Sequence, residues 1–173
     1  MKIKVDISNA SIDNAIRELD NYEKRLVNAG AEIVRKLAII GYDVAYAVMH
    51  DHIWTGETID SLTIIERSPT KYILMAQSEA LMFFEFGAGT IGSGHPRAAE
   101  FGTGPGTYPG QTHALDPGGW WYETDDDLLI EHIGKDGRGY AHTYGNEPRM
   151  PFQKAVDKMK DDLLRVAKEV LST

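Results

Sequence analysis

The sequence predicts an α+β chain, and three observations carry that expectation. One apolar face recurs every three or four residues from Ile12 to Val48, the mark of a long amphipathic helix. Two β-branched and aromatic segments flank Ser68-Pro69-Thr70, the mark of an antiparallel hairpin. A second apolar helical face opens at Pro151 and runs to the C-terminus.

In chain order, Ile3, Val5 and Ile7 alternate with Lys2, Lys4 and Asp6, which predicts a short half-buried strand. Ser8, Asn9 and Ser11 are N-cap residues for a helix beginning there. That long helix presents Ile12, Ile16, Leu19, Tyr22, Leu26, Ala29, Ile33, Leu37, Ile40, Val44 and Val48 on one face, with Gly30 and Gly41 as places to bend or break. A helix well beyond the usual ~11–12 residues needs a long partner surface, either a sheet of its own chain or a neighbouring subunit. Ser61–Arg67 and Lys71–Gln77 read as the hairpin strands. The run Leu81–Phe86 is too short for periodicity to choose between helix and strand.

From Gly87 to Gly119 the character changes: ten of 17 glycines and four of seven prolines lie there, and the segment has no periodicity of its own. A loop of that length is functional, disordered or ordered by a partner. Within it, Glu100-Phe101-Gly102-Thr103 partly repeats Glu85-Phe86-Gly87. Trp120-Trp121-Tyr122 and Leu128–Ile133 read as strands, Gly134–Gly139 as a hairpin tip through Asp136-Gly137, and Tyr140–Tyr144 as the returning strand. Phe152, Ala155, Val156, Met159, Leu163, Val166 and Val170 hold helical spacing behind Pro151. The whole reads as one domain, 1–173, with 87–147 as a loop and hairpin insertion.

Composition narrows the function classes. With 173 residues the chain can bury a core without staples, and with no cysteine it has neither disulfides nor thiolate metal sites. There is no charged-then-apolar leader at Met1 and no apolar run near the ~20 residues of a membrane helix, so synthesis in the cytosol and no membrane partner are expected. Against 18 basic residues stand 26 acidic ones, a formal charge of −8, which argues against wrapping nucleic acid. It suits a surface that DNA slides past.

Catalytic patterns are weak. His50-Asp51-His52 could chelate a metal from a strand, but at the end of a helix the two imidazoles point apart. His95, His113, His132 and His142 lack zinc-motif spacing, and Glu123-Thr124-Asp125-Asp126-Asp127 lacks the spaced ligands of a calcium loop. Gly87-Ala88-Gly89-Thr90-Ile91-Gly92 matches the spacing of a dinucleotide cradle, but Ser93-Gly94-His95-Pro96 makes a poor first helical turn. Neither a P-loop ending nor a nucleophile elbow is present. The expectation is a non-enzyme with no catalytic residues, cofactor or metal.

Two motifs point further. Phe84-Glu85-Phe86-Gly87, inside the apolar run Ala80–Thr90, and Pro148-Arg149-Met150-Pro151-Phe152-Gln153-Lys154-Ala155 resemble elements of the head–tail joining (neck, or tail-completion) proteins of long-tailed bacteriophages. Members of that family carry an aromatic-x-Glu-Phe-Gly-Thr element and, later, a Pro-x-x-Pro-Phe-x-x-Ala element, in this order and just ahead of a C-terminal helix. This chain departs from the pattern with Gly87-Ala88-Gly89-Thr90 where Gly-Thr would stand, and with the extra Ile91–Gly119 segment and tryptophan hairpin.

The resemblance implies a small antiparallel or mixed sheet packed by the long N-terminal helix and the C-terminal helix. It also implies a virion structural protein closing into a ring, a hexamer first and a dodecamer second, in the phage neck. Its partners would be the head-closure or connector protein on one side and the tail tube or terminator protein on the other. DNA would pass the lumen during packaging and ejection without specific binding. The protein would reside in the virion, and in the host cytoplasm during assembly. Phe84, Glu85, Phe86, Gly87, Trp120, Trp121, Pro148, Pro151 and Phe152 would be its structural and interface residues, with Phe152 a buried anchor. A plainer reading of the first motif leaves Phe83, Phe84 and Phe86 in the core and Glu85 in solvent. The lumen would be lined by Asp125, Asp126 and Asp127, or by Glu18, Asp20 and Glu23 of the long helix. Rival readings are a tail terminator or other minor tail protein, and a small metal-dependent hydrolase using His50, Asp51 and His52.

Overall fold

The computed structural model describes residues 6, 8–51, 56–78, 80–109, 113 and 115–172. The strand expected over Met1–Ile7 lies outside the described residues apart from Asp6.

Helix α1 (Asn9–His50) is 42 residues long, about 63 Å at 1.5 Å per residue. Ser8 caps it, its Oγ accepting from Ser11 N. It runs through both glycines without a break. Gly41 is a packing residue: a Cβ there would lie 2.9 Å from Met159 Sδ on the last helix. That helix, α5 (Pro151–Leu171), lies antiparallel against the C-terminal half of α1, Ala155 beside Ala45 and Met49 and Lys36 paired with Glu169. Helix α1 is twice as long as its partner, so residues 9–28 extend past it. There Ile12, Ile16, Leu19, Tyr22 and Leu26 are 39–54% exposed, an apolar stripe left uncovered by the described residues.

After the short α2 (Gly56–Asp60), strands β1 (Thr63–Ser68) and β2 (Lys71–Met75) pair antiparallel, with Ile64 opposite Leu74 and Pro69-Thr70 at the turn. The hairpin lies against α1, and Leu62 and Leu74 join Ala45, Met49, Ala155, Phe84 and Phe152 in the main core. The run Leu81–Phe86 is a helix, α3.

Two further small sheets lie in the insertion. Strands β3 (Ala88–Gly89) and β7 (Gly145–Asn146) pair antiparallel and bring its two ends together. Beyond α4 (Ala98–Phe101), β4 (Trp120–Glu123), β5 (His132–Ile133) and β6 (Gly139–Thr143) form a sheet in the order β4-β6-β5. The protein is thus α+β, with small antiparallel sheets and two long packed helices. No helix among the described residues is long and apolar enough to cross a membrane.

One expected strand is shorter than predicted. Of Leu128–Ile133, only His132-Ile133 is a strand. Asp126 captures the preceding backbone: its carboxylate accepts from Leu128 N at 2.9 Å and its carbonyl from Leu129 N and Ile130 N. A turn holds those residues where apolar content alone suggested a ladder.

Candidate functional site

The two motifs meet, and the carboxylate of Glu85 joins them. Helix α5 starts awkwardly: its N-cap position is Met150, held in the left-handed region (φ 59°, ψ 48°), with no side-chain cap of its own. Pro151, at the first helical position, has no N–H to satisfy. The next two donors do need partners, and Glu85 supplies both. Its Oε2 accepts from Phe152 N and its Oε1 from Gln153 N, each at 2.9 Å, across 67 and 68 residues of sequence. An anion at a helix N-terminus also meets the positive end of the helix dipole. Glu85 is 7% exposed, so desolvation costs are offset by three donors.

The third donor is His95, also buried. Its Nδ1 accepts from Arg97 N at 3.1 Å, which leaves Nε2 to carry the proton and donate to Glu85 Oε1 at 3.2 Å. The imidazole is therefore the neutral Nε2–H tautomer, packed on the Phe86 ring at 4.3 Å between centroids.

The return contacts come from the second motif. Arg149 N donates to Phe84 O at 2.8 Å and Asn146 Nδ2 to Phe83 O at 2.8 Å, satisfying carbonyls at the end of α3. Helix α3 stops at Gly87, which has φ 78° and where a Cβ would stand 2.3 Å from Gly92 O. Tyr108 seals that corner, its OH donating to Gly87 O at 2.7 Å. Burial raises the Tyr108 phenol above the ordinary tyrosine range.

The predicted residues sort clearly. Glu85, Phe86, Gly87 and Pro151 are at this junction, Phe86 buried and Pro151 fully so. Phe84 lies in the adjoining core and Pro148 beside Gly94. Phe152 is half-buried rather than a fully buried anchor, because its ring packs on the main core on one side and walls an open groove on the other, while Pro151 and Ala155 take the innermost positions. The reading of Glu85 as solvent-facing is overturned by its burial. Trp120 and Trp121 are elsewhere, on β4, with Trp121 half-exposed and edge-on to His142 at 5.1 Å. His95 and Tyr108 carry no motif that would have singled them out.

The repeated Glu-Phe-Gly has a structural counterpart: both copies end a helix, at Gly87 and Gly102, and the Phe86 and Phe101 rings meet at 5.6 Å. The second glutamate, Glu100, is exposed and pairs with Arg97 instead.

The other suspected sites are plain. Gly89, inside the dinucleotide-like spacing, serves β3–β7: a Cβ there would lie 2.1 Å from Tyr144 O, and α3 rather than a strand precedes the segment. His50 and Asp51 are 3.6 Å apart and mostly exposed, and His52 lies outside the described residues. Among the described residues no group of three or more His, Asp or Glu is placed to hold a metal ion. Asp125, Asp126 and Asp127 are exposed and lead into a turn over residues 127–129. Comparison with family models, curated proteins and solved structures finds no match to this chain.

Proposed function

We propose that this chain is a structural protein of the phage virion neck, forming a ring between the head-closure or connector protein and the tail tube or terminator protein, with DNA passing through its lumen. The observation that carries the reading is the bare apolar stripe of α1, five large side chains along a helix half that no other described element covers. A patch of that kind marks a protein–protein contact. Where that stripe meets a different patch of the next copy the contact is head-to-tail, and it makes a ring when the rotation between copies closes.

The junction supports the same reading. The residues that carry the resemblance are those through which α3, the insertion and α5 are locked together, so the motif pair has a physical task of joining distant segments. Function here is geometry rather than chemistry: subunit contacts, docking loops and a passage that does not trap DNA. The test is to purify the protein and image it by electron microscopy alone and with its adjoining connector protein. Rings of uniform size are expected. Monodisperse monomers under both conditions would refute the proposal.

A further inference from the structure

We propose that the sheet β4-β6-β5 is a docking arm, and that the pocket beside Trp121 receives a lysine or arginine side chain of a partner protein. The inference does not depend on the ring. Among the described elements no helix packs across this sheet, whose strands make their main contacts with one another. Its register sorts the side chains: Trp121 lies opposite His142 and His132 opposite Tyr140, so these four share one face. The other face is the more covered, with Ala141 3% exposed and Trp120 and Tyr122 partly buried. The outward face of an antiparallel sheet is ordinarily polar. Here it carries Trp121, 54% exposed, against the His132 and His142 rings at 6.1 and 5.1 Å, with Tyr144 against His142 at 4.9 Å. An ordered aromatic surface left in solvent marks a contact site.

The pocket, of about 580 Å³, is lined by Trp121, Tyr140, His132, Gly134 and Glu131. Tyr140 is fixed as a wall, its OH donating to Asp136 Oδ2 at 3.0 Å and its ring taking the space that a Cβ on Gly134 would fill. Glu131 supplies the charge. Its Oε1 accepts a long bond from His142 N at 3.4 Å, and it forms no ion pair with any described residue. Arg138 does not neutralise it, because that guanidinium already holds Glu123 and Asp136, at 2.7 and 3.7 Å. Among the described residues no Lys or Arg lines the pocket. Two aromatic rings and an unpaired carboxylate around one opening attract a cation on an apolar stem, which is the chemistry of lysine and arginine. A nucleotide base would stack on the same indole but bring phosphate toward Glu131, and a neutral sugar would leave that carboxylate without a counter-charge.

The test follows the Trp121 indole N–H of the full chain by NMR, assigned with Trp121→Phe, while an amidated hexalysine or hexa-arginine peptide is added. A saturable shift of that signal is expected. Glu131→Gln should weaken the binding several-fold, with circular dichroism confirming the fold. Asp161→Asn, which removes an exposed carboxylate from α5, should leave it unchanged. Equal losses from the two substitutions would show attraction to overall charge rather than to the pocket, and would overturn the proposal. So would the lack of a saturable shift with either peptide. An equal shift with hexaglutamate, a single-stranded oligonucleotide or methyl glucoside would overturn it too, since the pocket would then not select a cation.

Discussion

Glu85 is the residue on which the fold turns, because one buried carboxylate caps a helix that begins more than sixty residues later in sequence. Hydrogen bonds to a charged acceptor contribute about 1.5–3 kcal/mol each, and removing the acceptor strands buried donors. Glu85→Ala should therefore cost about 3 kcal/mol, and Glu85→Gln about half as much, in denaturant unfolding. A loss from Glu85→Ala within experimental error of zero would show that α5 does not depend on this cap. Tyr108 gives a pH test of the same corner. Its phenol is raised by burial, so the folded state holds the proton more tightly than the unfolded chain does. The associated stability is present below the ordinary tyrosine pKa of about 10 and is lost as pH rises through the higher folded value. Tyr72 and Tyr140 are raised as well, so the comparison needed is with Tyr108→Phe. That variant should lose less stability between neutral pH and high pH than the parent, and an identical pH profile would contradict the assignment. None of this is legible from spacing. Glu85 sits among aromatic residues with nothing nearby in sequence to bind it, and its partners are brought to it only by the folded chain.

At the scale of elements, the long helix and the last helix could be read from their period, since each buries one face and a period of 3.6 survives any partner. The hairpin was equally legible, through proline and β-branched residues. What periodicity leaves open is the identity of the surface that an apolar face meets. In α1 the same stripe runs the whole length, yet only the half beyond about residue 29 packs against other described elements. Helix segments without tertiary support are marginal in water. Hydrogen exchange should therefore be much faster for residues 9–28 than for 33–49, and the difference should shrink on assembly. Uniform strong protection along α1 in the free protein would contradict the view that the stripe awaits a partner. The turn at Asp126 shows the converse limit. Leu128-Leu129-Ile130 looks like a strand by composition, but a side-chain hydrogen bond two residues away decides the backbone.

For the whole molecule, the net charge of −8 bears on what a ring of this protein would do to DNA. Acidic or neutral walls repel the phosphate backbone, whether they come from Asp125, Asp126 and Asp127 or from Glu18, Asp20 and Glu23. Free duplex DNA should then bind weakly or not at all to the purified protein even at low salt, where electrostatic attraction is greatest. Tight binding that weakens steeply with salt would reveal a basic groove and end the passive-conduit account. If the chain is a neck protein, as proposed, the most direct measurement is its copy number in purified mature phage particles, by quantitative mass spectrometry against the portal and tail proteins. It is expected there at a fixed ring-like stoichiometry, six or twelve copies by the resemblance. Its absence from particles, with abundant protein left in the infected cell, would contradict the proposal.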